Sequence, residues 1–180
     1  FPIYYKEFEP LSIEFVPLEF KSRMNLKEVL ENHPKGKEYS SVLEGWDKYP
    51  VLIDSKKEVL SLIPIVNSDI TGKLEVGDTN LLFEATGTDY ESVLLAANIF
   101  SYALFERGFN IYSTETVYPD KEIIIPHFLN EVVKINNEQV KQLFGLELNE
   151  KEIKGLLEKA QFNFDKYQVS VPPYRSDILH

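Results

Sequence analysis

Cysteine is absent from the 180 residues, methionine and tryptophan occur once each, and histidine occurs three times. The missing thiols remove disulfides, thiolate nucleophiles and cysteine-held zinc together, and fit a reducing or a hot compartment. His33, His127 and His180 fall in a turn, near an expected domain junction and at the end of the chain, none beside a serine in an elbow motif. A Ser-His-Asp triad and a histidine metal site are therefore both set aside. No apolar run reaches the roughly 18 residues that a membrane helix needs. The opening FPIYYKEFEP lacks the basic and apolar segments of a signal peptide, so a soluble, cytoplasmic protein without membrane attachment is expected. Positive charge is scarce as well: 19 Lys and Arg stand against 29 Asp and Glu, for a net charge of -10. Such a surface repels phosphate backbones, and any nucleic-acid contact must be local. Lys35, Lys37, Lys56 and Lys57 are the candidates, although lysines at turns are mostly solvated surface. Internal repeats and low-complexity segments are missing, which excludes repeat architectures.

What is present is a globular composition, 43% hydrophobic and 13% aromatic, sufficient for one sizeable core or two small ones. SIEFVPLEF places Ile13, Phe15 and Pro17 on one parity and reads as an edge strand broken at Pro17. Asn25 with Glu28 three residues on signals a short helix burying Leu26, Val29 and Leu30 and ended by His33 and Pro34. A second short helix is expected from about Glu38 to Leu43, stopped by Gly45. PVLID and EVLSLIPIVN then read as two strands of a hairpin turning at Asp54 to Lys57. Ser61 lies among Val59, Leu60, Leu62 and Ile63, so its hydroxyl is buried or lines a pocket. The loop from Asn67 to Gly72 leads toward a further strand near Lys73 to Glu75.

LLFEATGTDYESVLLAANIF, from Leu81 to Phe100, follows. Alternation predicts a strand with Leu82, Glu84 and Thr86 on one side, broken at Gly87, then a helix capped by Thr88 with Glu91 completing a capping box. That helix, from Asp89 to Arg107, is apolar nearly all round and is expected to be buried on most of its surface before Gly108 ends it. NIYSTETVY and EIIIP read as strands. Helices follow from Asn136 or Asn137 to Gly145 and from Asn149 with Glu152, and YQVSVPP forms a strand with Tyr167, Val169 and Val171 on one face. The expected class is α+β: a mixed or antiparallel sheet domain over 1–118 packed on a long buried helix, followed over 119–180 by a small winged-helix-like module. RSDILH ends without a stop signal, as in a module truncated at its C-terminus.

Glu84 is the residue that needs explaining, because a charge taken out of water costs several kcal/mol unless something pairs with it. It either bonds an arginine or backbone amides, or it waits for a ligand. An apolar pocket walled by Leu52, Leu62 and Leu82, with a few converging hydroxyls, suits an aromatic small molecule. The Gly87 turn is a weak anion site, since Asp89 and Glu91 already occupy the positive end of the helix dipole.

The succession HPKGKEY, YPVLIDSKKEVLSLIPIVNSD, LLFEATGTD and a long apolar helix resembles the editing domain in the beta subunit of phenylalanyl-tRNA synthetase, of the archaeal and eukaryotic type. NNEQVKQLFGLELNEKEIKGLLEKAQF and VPPYRSDILH resemble the module that follows it there. The resemblance covers nearly the whole chain, with the catalytic-like domain and the subunit's N-terminal region both expected to be missing from it. It implies hydrolysis of tyrosine wrongly esterified to the phenylalanine tRNA, with tRNA-Phe carrying tyrosine and an alpha subunit as partners. It also implies a pocket of Leu52, Ser61, Glu84 and Thr86, in which Glu84 recognises the tyrosine hydroxyl. Thr86 and Ser61, with backbone amides near Asn67 and Gly87, are then expected to orient the attacking water and the ester carbonyl. No cofactor is expected of this piece; ATP and magnesium belong to the full enzyme. A non-catalytic scaffold binding RNA or a partner subunit is the alternative, and a sugar- or nucleotide-binding α/β domain is disfavoured by the missing glycine-rich loop.

Overall fold

The structure is a computed structural model that describes residues 1–126 and 131–178. His127 and His180 lie outside the described residues. The chain divides into two compact units, Phe1–Leu82 and Phe83–His180. No helix among the described residues is long and apolar enough to cross a membrane.

In the first unit, strands β1 (Tyr4–Phe8), β4 (Tyr49–Ile53), β5 (Val59–Leu62) and β6 (Val66–Asn67) form an antiparallel sheet in the order β1-β4-β5-β6. The expected hairpin is there, and Asp54 closes its turn by accepting hydrogen bonds from the backbone N–H of Lys56 and Glu58 at 2.8 and 2.9 Å. EVLSLIPIVN, however, is not one strand. Pro64 has no N–H for a ladder, Ile65 N–H donates to Leu62 O at 2.7 Å, and the chain folds back so that β6 pairs with β5. SIEFVPLEF gives only β2 (Glu14–Phe15), paired with β3 (Met24–Asn25), and Pro17 bridges to Ser68.

Helix α1 (Leu26–Asn32) carries the predicted capping box, the Asn25 side chain accepting from Glu28 N–H at 2.9 Å while Glu28 accepts from Asn25 N–H at 2.9 Å. The second helix starts earlier than expected: α2 spans Pro34–Tyr39, and Ser40–Leu43 is a separate 3-10 turn. Pro34 fits the first turn, where its missing N–H is no loss, and the His33 ring supplies the cap by accepting from Lys35 N–H at 3.1 Å. The core beneath the sheet gathers Phe15, Leu26, Val29, Leu43, Val51 and Leu62 among its buried members.

The second unit holds helix α3 (Tyr90–Phe105), the hairpin β7 (Thr114–Val117) and β8 (Glu122–Ile125), strand β9 (Glu131–Lys134), helices α4 (Asn137–Phe144) and α5 (Glu150–Lys159), and the hairpin β10 (Asn163–Asp165) and β11 (Gln168–Val171). β11 returns between β10 and β9, giving a strand, two helices and a hairpin closed on a core of Ile153, Phe164 and Val169. Asn136 and Asn149 each form a full capping box, with Gln139 and Glu152 respectively, and Gly145 ends α4 at φ 72. β10 was missed by pattern, being three residues long, and Tyr167 sits at φ 63 in the turn rather than in the strand.

Two expectations fail between β6 and the end of α3. Residues 81–86 form no strand, and no strand occurs between β6 and α3. Among the described residues no strand pairs with this stretch; instead the Phe83 ring stacks on Phe100 of α3, with centroids 4.5 Å apart. The long helix is also not buried on most of its surface: of α3 only Ala97 and Asn98 are buried, and Ile99, Phe100 and Phe105 are exposed. Its cap is Asp89, which accepts from Ser92 N–H at 2.8 Å, rather than Thr88. Hydrogen bonds from Ser92 hold the Asp89 carboxyl below its usual range. The fold class observed is α+β with several small antiparallel sheets and five helices among the described residues.

Candidate functional site

Register places three of the five expected site residues together. Leu52 of β4 stands opposite Ser61 of β5, and Ser61 stands opposite Asn67 of β6. Directly opposed residues of antiparallel strands project from the same face, so Leu52, Ser61 and Asn67 form one row across the sheet. The row continues outward to Tyr5 of β1, which stands opposite Leu52. Leu62, expected in the pocket wall, points the other way: it is fully buried and opposes Val51 in the core.

The two row members nearest the sheet's second edge have distinct surroundings. Ser61 is 5% exposed, and its Oγ has no hydrogen-bond partner among the described residues. A buried hydroxyl left unpaired costs about 1–3 kcal/mol, an expense that a ligand or water at this position would relieve. Asn67 is exposed but not loose, because its Nδ2 donates to Gly72 O at 3.1 Å. Gly72 is glycine for steric reasons: a Cβ there would stand 2.5 Å from Leu60 O and 2.9 Å from Asn67 Cβ. The loop thereby fixes the carboxamide of Asn67 against the end of the row.

Glu84 and Thr86 belong to the second unit, in the irregular stretch before α3. Both are exposed, which corrects the expectation of a carboxylate within a buried strand. Even so, surrounding atoms strip enough water from the Glu84 carboxyl to raise its pKa, and desolvation is the sole cause. Its open surface keeps that penalty modest. Glu84 has no ion-pair or hydrogen-bond partner among the described residues. An arginine clamp, the structural explanation considered above, is therefore not what holds it. Just after Thr86, a Cβ at Gly87 would lie 2.8 Å from Val93 Cγ2, so the chain passes close over the first turn of α3.

His33 is structural. It is buried, its Nδ1 caps α2, its Nε2 lies 3.2 Å from Leu18 O, and its ring packs at 4.9 Å from that of Phe20. Lys35 is engaged by Glu38 at 2.9 Å, which leaves it a solvated ion pair.

Pattern reading did not anticipate two clefts, neither of which contains an expected site residue. One, of about 450 Å³, lies in the first unit between Leu11–Val16 and Lys57–Val59; Arg23 and Lys57 there face Glu14 and Glu58, so it carries no net charge preference. The other, of about 370 Å³, lies in the second unit between the first half of α3 and Pro173 and Ser176. Also unforeseen is Tyr102 on α3, packed at 4.4 Å against Tyr174, its phenol pushed up to about 12 mainly by burial and further by the neighbouring Tyr174. No periodicity signals these features, because each joins segments far apart in sequence.

Comparison with known proteins gives this geometry a context. Residues 133–180 match the tRNA synthetase B5 domain. The phenylalanine–tRNA ligase beta subunit of Pyrococcus furiosus is 39% identical over 99% of this chain, that of Archaeoglobus fulgidus 42% over 100%, and that of Borrelia recurrentis 41% over 93%. The chain spans about a third of the length of these relatives. Among solved structures, an N-terminal fragment of the Pyrococcus horikoshii phenylalanyl-tRNA synthetase beta subunit superposes with a TM-score of 0.82 at 38% identity, covering 99% of this chain and 52% of that one. The resemblance read from the sequence thus holds along the whole chain, to the N-terminal region of archaeal-type phenylalanyl-tRNA synthetase beta subunits together with a B5 domain.

Proposed function

We propose, from that likeness, that this chain is the proofreading part of a phenylalanine–tRNA ligase beta subunit and hydrolyses tyrosine misattached to tRNA-Phe. The observation that carries the reading is Glu84, a carboxyl partly stripped of water with no partner among the described residues. Phenylalanine and tyrosine differ by one hydroxyl, and an apolar pocket resolves such an addition by only about 100-fold. Once bound substrate covers the carboxyl and excludes water, a site that must bond the phenol O–H rejects the analogue lacking it by about 10⁴ to 10⁵, since phenylalanine would leave the covered acceptor unpaired. Glu84 is that acceptor, and its partner arrives with the wrong amino acid.

The ester needs no protein nucleophile. A positioned water attacks the carbonyl carbon, the bond from that carbon to the ribose oxygen breaks, and the water's proton ends on the released ribose hydroxyl. Ser61 and Thr86 orient the water and the ester carbonyl, aided by Asn67 and the backbone near Gly87, while Leu52 contributes apolar wall. Support comes from the row of Leu52, Ser61 and Asn67 and from the unpaired Ser61 Oγ. The partners in this reading are tRNA-Phe carrying tyrosine and an alpha subunit, in the cytoplasm; ATP and magnesium serve the complete enzyme. The editing domain covers 1–118 and the winged-helix-like module 119–180.

The deciding experiment introduces Glu84→Ala into the complete two-subunit enzyme and follows deacylation of tyrosyl- and phenylalanyl-tRNA-Phe. Tyrosine clearance should drop and the tyrosine-to-phenylalanine preference should fall from about 10⁴ or more toward about 100. Parental clearance with phenylalanine still spared would defeat the proposal. A docking role without catalysis is the second reading, favoured by the exposed Ile99, Phe100 and Phe105 of α3, and it expects neither amino acid to bind.

A further inference from the structure

The row on the β1-β4-β5-β6 sheet has a member that the expected pocket leaves out. Tyr5 opposes Leu52, Leu52 opposes Ser61, and Ser61 opposes Asn67, so four side chains on four adjacent strands share one face. Three strand spacings make this row about 14 Å long. Counted from Ser61, Tyr5 lies two of these spacings away, about 10 Å, the scale of the nucleoside that follows an ester held there. Exposure is graded along it: Ser61 is 5% exposed, Leu52 is half-buried and Tyr5 is 59% exposed. A substrate whose ester lies at Ser61 must therefore leave its larger, water-seeking part toward an open end.

Of the two open ends, only that of Tyr5 carries an aromatic ring. Asn67, at the other, offers a carboxamide already tied to Gly72 O. Tyr5 is set on a paired strand, held opposite Leu52 within a continuous five-residue ladder, so its position is fixed by backbone hydrogen bonding rather than by a loop. The neighbouring residue of the same face on β1 is Glu7, opposite Pro50, which gives that end no positive charge for a phosphate. A neutral base with a π-face suits it better than a backbone phosphate.

We infer that Tyr5 is a further substrate-binding residue, the stacking wall for the terminal nucleoside base to which the misplaced amino acid is esterified. The inference rests on the editing function proposed above. Stacking of a base on an aromatic side chain tolerates removal of the phenol hydroxyl, because the ring face makes the contact. Tyr5→Phe should thus behave as the parent, and Tyr5→Leu should lose the base.

The test uses the full-length protein assembled with its companion subunit and two probes: tyrosine alone, and a hydrolysis-resistant conjugate of tyrosine amide-linked to 3′-amino-3′-deoxyadenosine. The expected result is that Tyr5→Leu weakens the conjugate by about tenfold or more while leaving tyrosine unchanged, with Tyr5→Phe matching the parent on both. Equal losses on the two probes would mean that Tyr5 only supports the sheet. No loss on either, or a loss with Tyr5→Phe as large as with Tyr5→Leu, would also overturn the inference. If the parent protein itself bound neither probe, the editing reading would fail first and take Tyr5 with it, an outcome distinct from the others.

Discussion

Two stretches of this chain look alike on paper and fold differently. EVLSLI, from Glu58 to Ile63, and LLFEAT, from Leu81 to Thr86, each interrupt an apolar run with one polar residue, Ser61 in the first and Glu84 in the second. The first lies between β4 and β6, is paired on both sides, and has its hydroxyl at 5% exposure. The second makes no ladder, leaves Leu81 and Leu82 exposed, and leans Phe83 on α3. Alternation supplies a face, but a strand exists only where another backbone satisfies its N–H and C=O groups. The same contrast separates a hydroxyl held by a sheet from a carboxylate held by little beyond its own stretch.

The contrast can be broken or sharpened by substitution, beginning with the largest effect. Beyond the Glu84→Ala test, Leu62→Ala should destabilise the first unit by about 2–5 kcal/mol, because a fully buried leucine leaves a cavity beneath the sheet. Hydrogen exchange of the β4 and β5 amides reads this out, and a loss below about 1 kcal/mol would mean that the core relaxes to fill the space. Phe83→Ala, by comparison, should cost about 1 kcal/mol, the contribution of its stack on Phe100, measured by exchange in α3. A cost as large as that of Leu62→Ala would show that this stretch is as firmly built as β5.

Smaller effects test the polar members. Ser61→Ala should leave stability unchanged or raise it by up to about 1 kcal/mol, since it deletes a buried hydroxyl with no partner among the described residues, while slowing deacylation. A clear loss of stability would reveal a bonded hydroxyl. The smallest effect belongs to Glu84→Gln. Because the folded-state pKa of Glu84 is raised, the native protein binds the proton more tightly than the unfolded chain, and stability falls as pH rises from the ordinary carboxylate range through the raised pKa. The glutamine variant should be slightly more stable than the parent near pH 7, and the difference should vanish in acid below the unfolded value. Denaturation midpoints across this range check the sign.

Local chemistry was legible wherever a few consecutive residues suffice. Asn25 with Glu28 and Asn149 with Glu152 form capping boxes as read, and Asp54 closes the hairpin turn. These contacts span three or four residues, so the sequence alone carries them. Pairing was less legible. Pro64 turns EVLSLIPIVN back on itself to make β6, and three-residue β10 was invisible to period counting. Of the candidate site, Ser61 was correctly read as buried, whereas Glu84 was placed in a strand that does not form. The first depended on its immediate neighbours, and the second on partners elsewhere in the chain.

Composition and order by themselves determined the class of the molecule and the helix starts at Asn25, Asn136 and Asn149, because charge and capping are properties of short segments. Tertiary structure alone decided that Tyr5, Leu52, Ser61 and Asn67 stand in one line and that Leu62 turns away into the core. Register is the reason: moving one strand by a single residue would exchange its two faces, and only the pairing of β1, β4, β5 and β6 fixes that choice.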